Sequence, residues 1–302
     1  MPAEDAASKV ARETRRAKRQ ARREKQRQEN AGRAAKMHEA RLRWRHDGPE
    51  SQVSGSTIDH RVFHVGCSGW FYWDWRGVFY PSNLPTNKWF SHYARRFRTV
   101  ELNAPFYSWP TLGAVETWKR QIGRRQFVYT VKVSELITHV KRFSGTKTLV
   151  RDFGHIADML GPRMGCFLFQ LPPSFQYSPA RLERIVSQLD PKRRNVVEFR
   201  HRSWWNERVY AAFRKAGIIF CSCSGPKLPD ELIKTADDIY IRFHGIKQWY
   251  RHDYSSEEIA EWVKRIRNSG AHGVWAYFNN DRDGYSIKNA LSLLRNLQKS
   301  FM

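Results

Sequence analysis

Polar side chains recur among apolar residues with a spacing of two, which places them on one face of a β-strand. In VELN, Glu101 and Asn103 alternate with apolar residues, and in VKV, Lys132 stands between two valines. The stretches FQL, VEFR, IRFH and YFNN repeat this pattern and add Gln170, Glu198, Arg200, Arg242, His244 and Asn279. The set combines groups that transfer protons with cations that bind anions. It therefore predicts acid–base chemistry on an anionic ligand.

These side chains belong to short apolar runs, which predict the strands that position them. We count eight runs, at residues 62–66, 99–103, 127–133, 166–171, 195–200, 217–223, 238–244 and 273–279. Amphipathic segments follow several of them, for example at 87–97, 179–189, 255–266 and 286–297. This rhythm predicts an α/β fold of the (β/α)8 TIM-barrel type. An open doubly wound sheet is the alternative, but GCSGWF after the first strand lacks its GxGxxG phosphate turn.

The polar residues lie toward the carboxyl ends of their strands, where TIM barrels carry their active sites. The predicted catalytic residues are Glu198, Glu101, His244 and Lys132. The alternative is a structural network whose charges neutralise one another, with Glu198 paired to Arg200 or Arg242 and Glu101 paired to Lys132. Buried ion pairs contribute little to stability, so a structural role alone does not explain a network of this size.

An aromatic stretch, VGCSGWFYWDWRGVFYP at residues 65–81, follows the first predicted strand. A loop at this place lies at the catalytic face, and aromatic walls are typical of ligand sites. We expect Trp70 and Tyr72 near the mouth of the pocket. Trp75, Phe79 and Tyr80 are expected to be buried. The stretch NAPFYSWP, which contains Tyr107, would extend the wall after the second strand.

The amino-acid composition indicates which kind of partner the protein binds. The 302 residues carry a formal net charge of +24 with 41% hydrophobic residues, which predicts a real core and a polyanionic partner. Residues 1–47 hold 15 Lys and Arg against 7 Asp and Glu. The stretch ARETRRAKRQARREKQRQEN at residues 11–30 lacks an apolar stripe, so we predict that residues 1–47 form a basic arm that is a solvated helix or disordered. Residues 48–61 are interpreted as a linker and 62–302 as the barrel domain.

The cysteines Cys67, Cys166, Cys221 and Cys223 form no CxxC pair and lie in apolar runs, where they are expected to pack as small buried hydrophobes. No apolar run is long enough to span a bilayer, and residues 1–47 contain no apolar signal-peptide region. These features favour a cytoplasmic protein with no membrane partner. They carry no indication of its oligomeric state.

Seven blocks in order carry a family resemblance, among them VGCSGWFYWDWRGVFYP, TVELNAPFYSWPT, YTVKVSELITHVKRF, VEFRHRSWWNERVY and YFNNDRDGYSIKNAL. Over residues 62–297 the chain resembles domain of unknown function 72, the YecE-like proteins. The resemblance implies a TIM barrel and a cytosolic protein, and it implies no activity. His139 and Lys141 are among the positions typical of the family.

We favour a hydrolase-like enzyme acting on a phosphorylated small molecule or a nucleic acid. In this interpretation Glu198 or Glu101 is the general base and His244 or His139 the acid. The predicted substrate-binding residues are Asn103, Tyr107, His139, Lys141, Gln170, Arg200, Arg242, Asn279, Trp70 and Tyr72.

Three alternatives stay open. No cofactor is predicted, but a divalent metal at Glu101, Glu198 and His244 is an alternative that the nearby cations disfavour. A glycosidase with Glu101 and Glu198 as its carboxylate pair is weaker, because strands two and five lie nearly opposite each other across a barrel. The third alternative is a non-catalytic barrel that binds nucleic acid through its basic arm and aromatic loops.

Overall fold

The structure is a computed structural model that describes residues 2–44 and 62–300. The predicted linker at 48–61 lies outside the described residues. Eight strands are found: β1 Val62–Cys67, β2 Thr99–Leu102, β3 Val128–Lys132, β4 Met164–Gln170, β5 Asn195–Glu198, β6 Ile219–Ser224, β7 Asp238–Phe243 and β8 Gly273–Phe278. All eight coincide with the predicted runs. They form one parallel sheet in the order β1-β8-β7-β6-β5-β4-β3-β2, so the (β/α)8 prediction is confirmed.

Helices surround the sheet: α1 Pro2–Arg43, α2 Trp89–Tyr93, α3 Ala104–Tyr107, α4 Leu112–Ile122, α5 Lys147–Leu160, α6 Pro179–Val186, α7 Glu207–Ala216, α8 Ser256–Asn268 and α9 Tyr285–Ser300. Ser255 and Glu258 form a capping box at the start of α8, as their spacing indicates. The connection between β6 and β7, which is described throughout, contains no helix. This barrel therefore departs from strict strand–helix alternation at its sixth connection.

A tyrosine closes the barrel between β1 and β2. Within the described residues these two strands share no ladder pairs. The Tyr93 hydroxyl instead accepts from the Cys67 amide at 2.9 Å and donates to the Thr99 carbonyl at 3.1 Å. A Cβ built on Gly66 would lie 2.6 Å from the Thr99 carbonyl oxygen and 2.9 Å from that hydroxyl. Glycine at 66 therefore lets the two strands approach closely enough for one side chain to bridge them.

The lumen below the site is packed. Its cluster consists of Cys166, Leu168, Val196, Ile219, Cys221, Cys223, Tyr240, Trp275 and Tyr277, all buried. The Tyr277 hydroxyl bonds Thr99 at 2.7 Å and Thr130 at 2.9 Å, which satisfies its polar end. All four cysteines are buried and form no disulfide, as expected from their apolar surroundings.

The second half of α1 packs against the barrel. Asn30, Ala34 and Met37 are buried, at 1%, 3% and 1% exposure. They lie four and three residues apart, so they share one helix face. This packing differs from our expectation of a solvated or disordered arm. Two of the three buried residues lie beyond the stretch 11–30 that lacks an apolar stripe, and the third is an asparagine, which a search for apolar residues does not find. No helix in the described ranges 2–44 and 62–300 has the length and apolar character that a membrane span requires.

Candidate functional site

The centre of the site is Arg242, which is 1% exposed and lies between the two predicted catalytic carboxylates. Its Nη1 donates to Glu198 Oε2 at 2.7 Å and its Nη2 donates to Glu101 Oε1 at 2.6 Å. The Ser68 hydroxyl donates to the same Glu101 oxygen at 2.6 Å, and the Tyr240 hydroxyl donates to the other at 2.5 Å. Strands β1, β2, β5 and β7 therefore contribute to one buried, charged network.

Glu198 is held by a second guanidinium. Its Oε1 pairs with Arg200 Nε and lies 3.3 Å from His244 Nε2. Burial raises the pKa of Glu198, but attraction to Arg200 and Arg242 outweighs this and holds the pKa well below its usual range. Burial, together with the same two arginines, lowers the pKa of His244 well below its usual value. At neutral pH the site thus contains a charged Glu198 beside a neutral imidazole.

Two further contacts orient this part of the network. Arg200 Nη2 lies 3.0 Å from His244 Nε2, and the other ring nitrogen, Nδ1, lies 3.2 Å from the Asn279 side-chain nitrogen. The Arg200 guanidinium also lies over the Trp249 ring, 4.7 Å from its centroid. Together these contacts fix Arg200 at the upper edge of the network.

Lys132 differs from its neighbours because its ammonium is not neutralised by direct contact. It is 7% exposed, and its Nζ lies 4.1 Å from the centroid of the Phe106 ring. Within the described residues it makes no hydrogen bond or ion pair. Burial and then the charge of Arg242 lower the pKa of Lys132 from 10.5 to about 7. Lys132 is therefore a buried amine that exchanges its proton near neutral pH.

His139 also contacts the Phe106 ring. The two rings are T-shaped with centroids 4.9 Å apart, and His139 Nδ1 lies 2.9 Å from the Thr138 hydroxyl. Burial and then the charge of Lys132 lower the pKa of His139 to about 4. His139 belongs to a single π-helical turn, Leu136–Val140, directly after β3. It is thus a neutral imidazole close to Lys132.

The remaining predicted binding residues are spread more widely. Asn103 donates to the Ser68 carbonyl at 3.1 Å, and Gln170 pairs in register with Glu198 at the top of β4. Lys141 is exposed after the π-helical turn, and Tyr107 is 52% exposed. Asn103 thus contacts the backbone of a network residue, strand register places Gln170 level with Glu198, and the last two residues lie at the surface.

The aromatic stretch is sorted differently from our expectation. Trp75 and Tyr80 are fully buried as predicted, and Phe79 is half-buried. Trp70 and Tyr72 are also half-buried and pack against the core, and the Tyr72 hydroxyl donates to the Ser68 carbonyl at 2.5 Å. The most exposed rings are Phe71 and Trp73, at 52% and 62%. The prediction that Trp75 and Tyr80 are buried is confirmed, and the hydrogen bond of Tyr72 places it beside Ser68, whose hydroxyl belongs to the network. The sequence did not single out Phe71 and Trp73, because the loop turns through a short 3-10 segment at residues 73–75.

Sequence reasoning missed Tyr240, Trp249 and Asp281. Tyr240 precedes Arg242 by two residues on β7, so alternation carried further down the strand would have found it. Trp249 comes from a loop without periodicity, and no local signal places it under Arg200. Burial raises the pKa of Asp281 to about 7. One of its carboxylate oxygens, Oδ1, is buried without a hydrogen-bond partner.

A basic groove adjoins the network on the far side of Trp249. It has a volume of about 930 Å³, and its lining includes Lys227, Lys247, Arg251, Arg282 and the carboxyl of Asp281. Among the described residues, Lys227, Lys247 and Arg251 have no ion-pair partner. Lys227 and Tyr250, which face this groove, have φ angles of 67° and 68°. Such strained backbone is concentrated at functional sites.

The site contains side chains that could bind a metal ion, but the ion pairs that they already make restrict this. Ligand atoms of Glu198, Cys223 and His244 lie within 4.8 Å of one another. However, both Glu198 oxygens already interact with arginines, and Arg242 lies between Glu198 and Glu101. A cation would have to displace a guanidinium here, so the residues fit a divalent ion poorly. A metal at Glu101, Glu198 and His244 stays an untested prediction.

Comparison with known proteins gives the family. Residues 64–301 match the family described as protein of unknown function DUF72. The UPF0759 protein YunF of Bacillus subtilis is 24% identical over 276 residues, covering 77% of this chain and 94% of its own length. A crystal structure of a DUF72 family protein from Thermotoga maritima superposes with a TM-score of 0.71 at 29% identity, over 78% of this chain and 99% of the other. One from Enterococcus faecalis, at 17% identity and a TM-score of 0.67, shares the fold over 78% of this chain and 96% of the other. Because the matched region contains nearly the whole barrel and its site, the chain belongs to the DUF72 family.

Proposed function

We propose that the carboxyl end of the barrel is the active site of a hydrolase-like enzyme. Lys132 acts there as the general base, which accepts a proton during catalysis. The observation that carries this proposal is the state of Lys132. It is a nearly buried amine without a hydrogen bond or ion pair among the described residues, and its pKa is about 7. A general base works best when its pKa lies near the working pH. Perturbed groups of this kind are concentrated at functional sites.

The carboxylates suit a positioning role better than the role of base. Each Glu198 oxygen interacts with a guanidinium, and its lowered pKa makes it a weak proton acceptor. Glu101 accepts three hydrogen bonds, from Ser68, Tyr240 and Arg242. We therefore assign Glu101 and Glu198 to a fixed frame that holds the two arginines. The frame leaves the amine of Lys132 without a hydrogen bond or ion pair among the described residues.

The ligand class follows from the charge at the mouth. Guanidinium and ammonium groups bind phosphate oxygens strongly. Lys227, Lys247 and Arg251 surround the groove without ion-pair partners among the described residues, and Trp249 connects the groove to Arg200. These contacts support a phosphate-bearing substrate that lies in the groove and reaches Arg200.

Turnover of simple phosphate esters tests the proposal. The probes are bis(4-nitrophenyl) phosphate as a diester and 4-nitrophenyl phosphate as a monoester, used with the full-length protein. The expected rate rises with pH through about 7, because the amine of Lys132 accepts a proton only after it has lost its own. Lys132→Met is expected to lower kcat/KM by about 100-fold or more, which is typical for loss of a general base. The exposed Lys119→Met serves as the matched control and should keep the wild-type rate. Wild-type turnover in Lys132→Met would refute the assignment.

A second candidate is a barrel that binds nucleic acid without catalysis. It is favoured by the unpaired cations of the groove and by the exposed rings of Trp73 and Tyr250, which are 62% and 47% exposed. Bases stack on such rings without regard to sequence. This candidate predicts salt-dependent binding of oligonucleotides and no hydrolysis of either ester by the wild-type protein. Measuring binding and turnover on the same preparation separates the two candidates.

A further inference from the structure

We propose that the docked half of α1, residues 27–43, is a positioning element for the site and that Asn30 holds the loop that covers Lys132. The family match begins at residue 64, so this helix is an addition to the shared barrel. Its hydrogen bonds and ion pairs to the barrel go to the loop after β2, to Glu135 after β3 and to Asp152 of α5.

Asn30 is the main contact to the loop after β2. Its side chain is buried, its Nδ2 donates to the Tyr107 carbonyl at 2.9 Å, and its Oδ1 accepts from the Trp109 amide at 2.8 Å. One side-chain amide thus satisfies two backbone groups of the same loop. Arg33 adds contacts to the Ser108 hydroxyl and, at 3.5 Å, to the Trp109 carbonyl. A buried asparagine with both ends used fixes the loop relative to the helix.

The same loop provides the cover over Lys132. Phe106 immediately precedes Tyr107, is 6% exposed, and presents its ring to Lys132 Nζ at 4.1 Å. The Phe106 ring also makes T-shaped contacts with Tyr107 and His139. Because Asn30 anchors the residue next to Phe106, the position of the ring depends on the docked helix. Displacement of the ring would admit water to the amine.

Two further anchors hold the helix in place. Arg27 Nε lies 3.5 Å from Glu135 Oε1, in the residue that precedes the π-helical turn containing His139. Near its end, α1 is tied to α5 by Asp152, which is 2% exposed and pairs with Arg41 at 2.8 Å and His38 at 3.0 Å. The anchors therefore extend along α1 from the site to α5, and they hold Asn30 over the loop.

The titration of Lys132 in the full-length protein tests the proposal. Reductive methylation with ¹³C-formaldehyde labels the lysines, and the signal of Lys132 is identified by its absence in Lys132→Arg. The expected midpoint of the wild-type protein is near pH 7. Asn30→Ala is expected to raise it by about one unit, because hydration relieves the burial that lowers the pKa of a lysine. The charged and titratable neighbours of Lys132, namely Arg242, Glu198, Glu101, Arg200 and His139, are unchanged in the variant.

A control of similar destabilisation separates positioning from general loss of stability. Leu297→Ala removes a buried side chain from α9, away from α1 and the loop, and should leave the midpoint unchanged. Arg33→Ala provides a second, milder variant if Asn30→Ala does not fold, and it should raise the midpoint by a smaller amount. An unchanged midpoint in the folded variants, or an equal shift in Leu297→Ala, would overturn the proposal. The proposal rests on the proposed function only for its effect on turnover, because the titration is measured without substrate.

Discussion

Single residues in the upper layer of the barrel differ in how their charge is compensated. Arg242 and the two glutamates compensate one another over distances of 2.6 and 2.7 Å. Among the described residues Lys132 makes no hydrogen bond or ion pair, its Nζ lies 4.1 Å from the centroid of the Phe106 ring, and its burial favours the neutral amine. A buried ion pair can be neutral for stability, but an uncompensated buried charge is costly. Lys132 should accordingly weaken the fold whenever it is protonated.

We predict that Lys132→Met stabilises the protein more at pH 6 than at pH 9. The pKa of Lys132 is about 7 in the folded protein and 10.5 ordinarily, so the unfolded chain binds more protons between these values. Below pH 7 the full cost of the buried charge is present, and it diminishes as pH rises toward 10.5. At about 1.4 kcal/mol for each unit of pKa shift, the gain at pH 6 is on the order of a few kcal/mol.

Urea unfolding of both proteins at the two pH values measures this difference. The exposed Lys119→Met is the matched control and should show no such pH dependence. An equal gain at pH 6 and pH 9 would contradict the lowered pKa of Lys132.

At the scale of elements, the weakest joint of the barrel lies between β1 and β2. A single hydroxyl, that of Tyr93, replaces the ladder there, and Gly66 makes room for it. Ser68 and Glu101 lie at the upper ends of these two strands and are hydrogen-bonded to each other at 2.6 Å. The joint therefore affects both the closure of the barrel and the alignment of the site above it.

Tyr93→Phe should destabilise the protein by about 2–4 kcal/mol, because it leaves the Cys67 amide and the Thr99 carbonyl buried without partners. The free energy of unfolding, measured with urea, checks this value. Tyr210→Phe removes a half-buried hydroxyl outside this joint and serves as the control, with an expected change close to zero. A loss in Tyr93→Phe no larger than in the control would show that the strands close without the bridge.

At the scale of the whole molecule, basic residues far outnumber acidic ones, and the basic surfaces differ in their relation to the site. The formal net charge is +24, and the described cations include two basic surfaces, the exposed residues of α1 before Asn30 and the groove at the mouth of the barrel. Both attract polyanions, but only the groove adjoins the buried network. The nucleic-acid-binding candidate therefore predicts that the groove provides the main binding surface for a single-stranded oligonucleotide.

Replacing Lys227 and Lys247 together by glutamine should weaken the binding of a fluorescent oligothymidylate. Each lost phosphate contact lowers the slope of log K against log salt by about 0.7 for single strands, so the double variant should lose about 1.4. Fluorescence anisotropy over a salt series measures both quantities. Arg15→Gln with Arg16→Gln, on the exposed part of α1, removes the same charge elsewhere. If this control loses the affinity and the groove variant keeps it, the arm is the binding surface.

The fold, and the identity of the residues that line the site, could be predicted largely from the local sequence. Alternation by two is a property of each strand on its own, so Glu101, Lys132, Glu198 and Arg242 could be assigned to one face without a structure. Eight apolar runs at regular intervals were sufficient to predict the barrel. The family resemblance covered the same residues and was confirmed.

The tertiary structure decided the partners of these residues. Arg242 reaches Glu101 across 141 positions of the chain, and Asn30 reaches Trp109 across 79. Pairing over such separations depends on barrel closure and helix docking, which leave no periodic signal in the sequence. The sequence thus determined which groups meet at the top of the barrel. Only the packed molecule determined that the glutamates are neutralised by arginines, and that Lys132 remains a buried amine under Phe106.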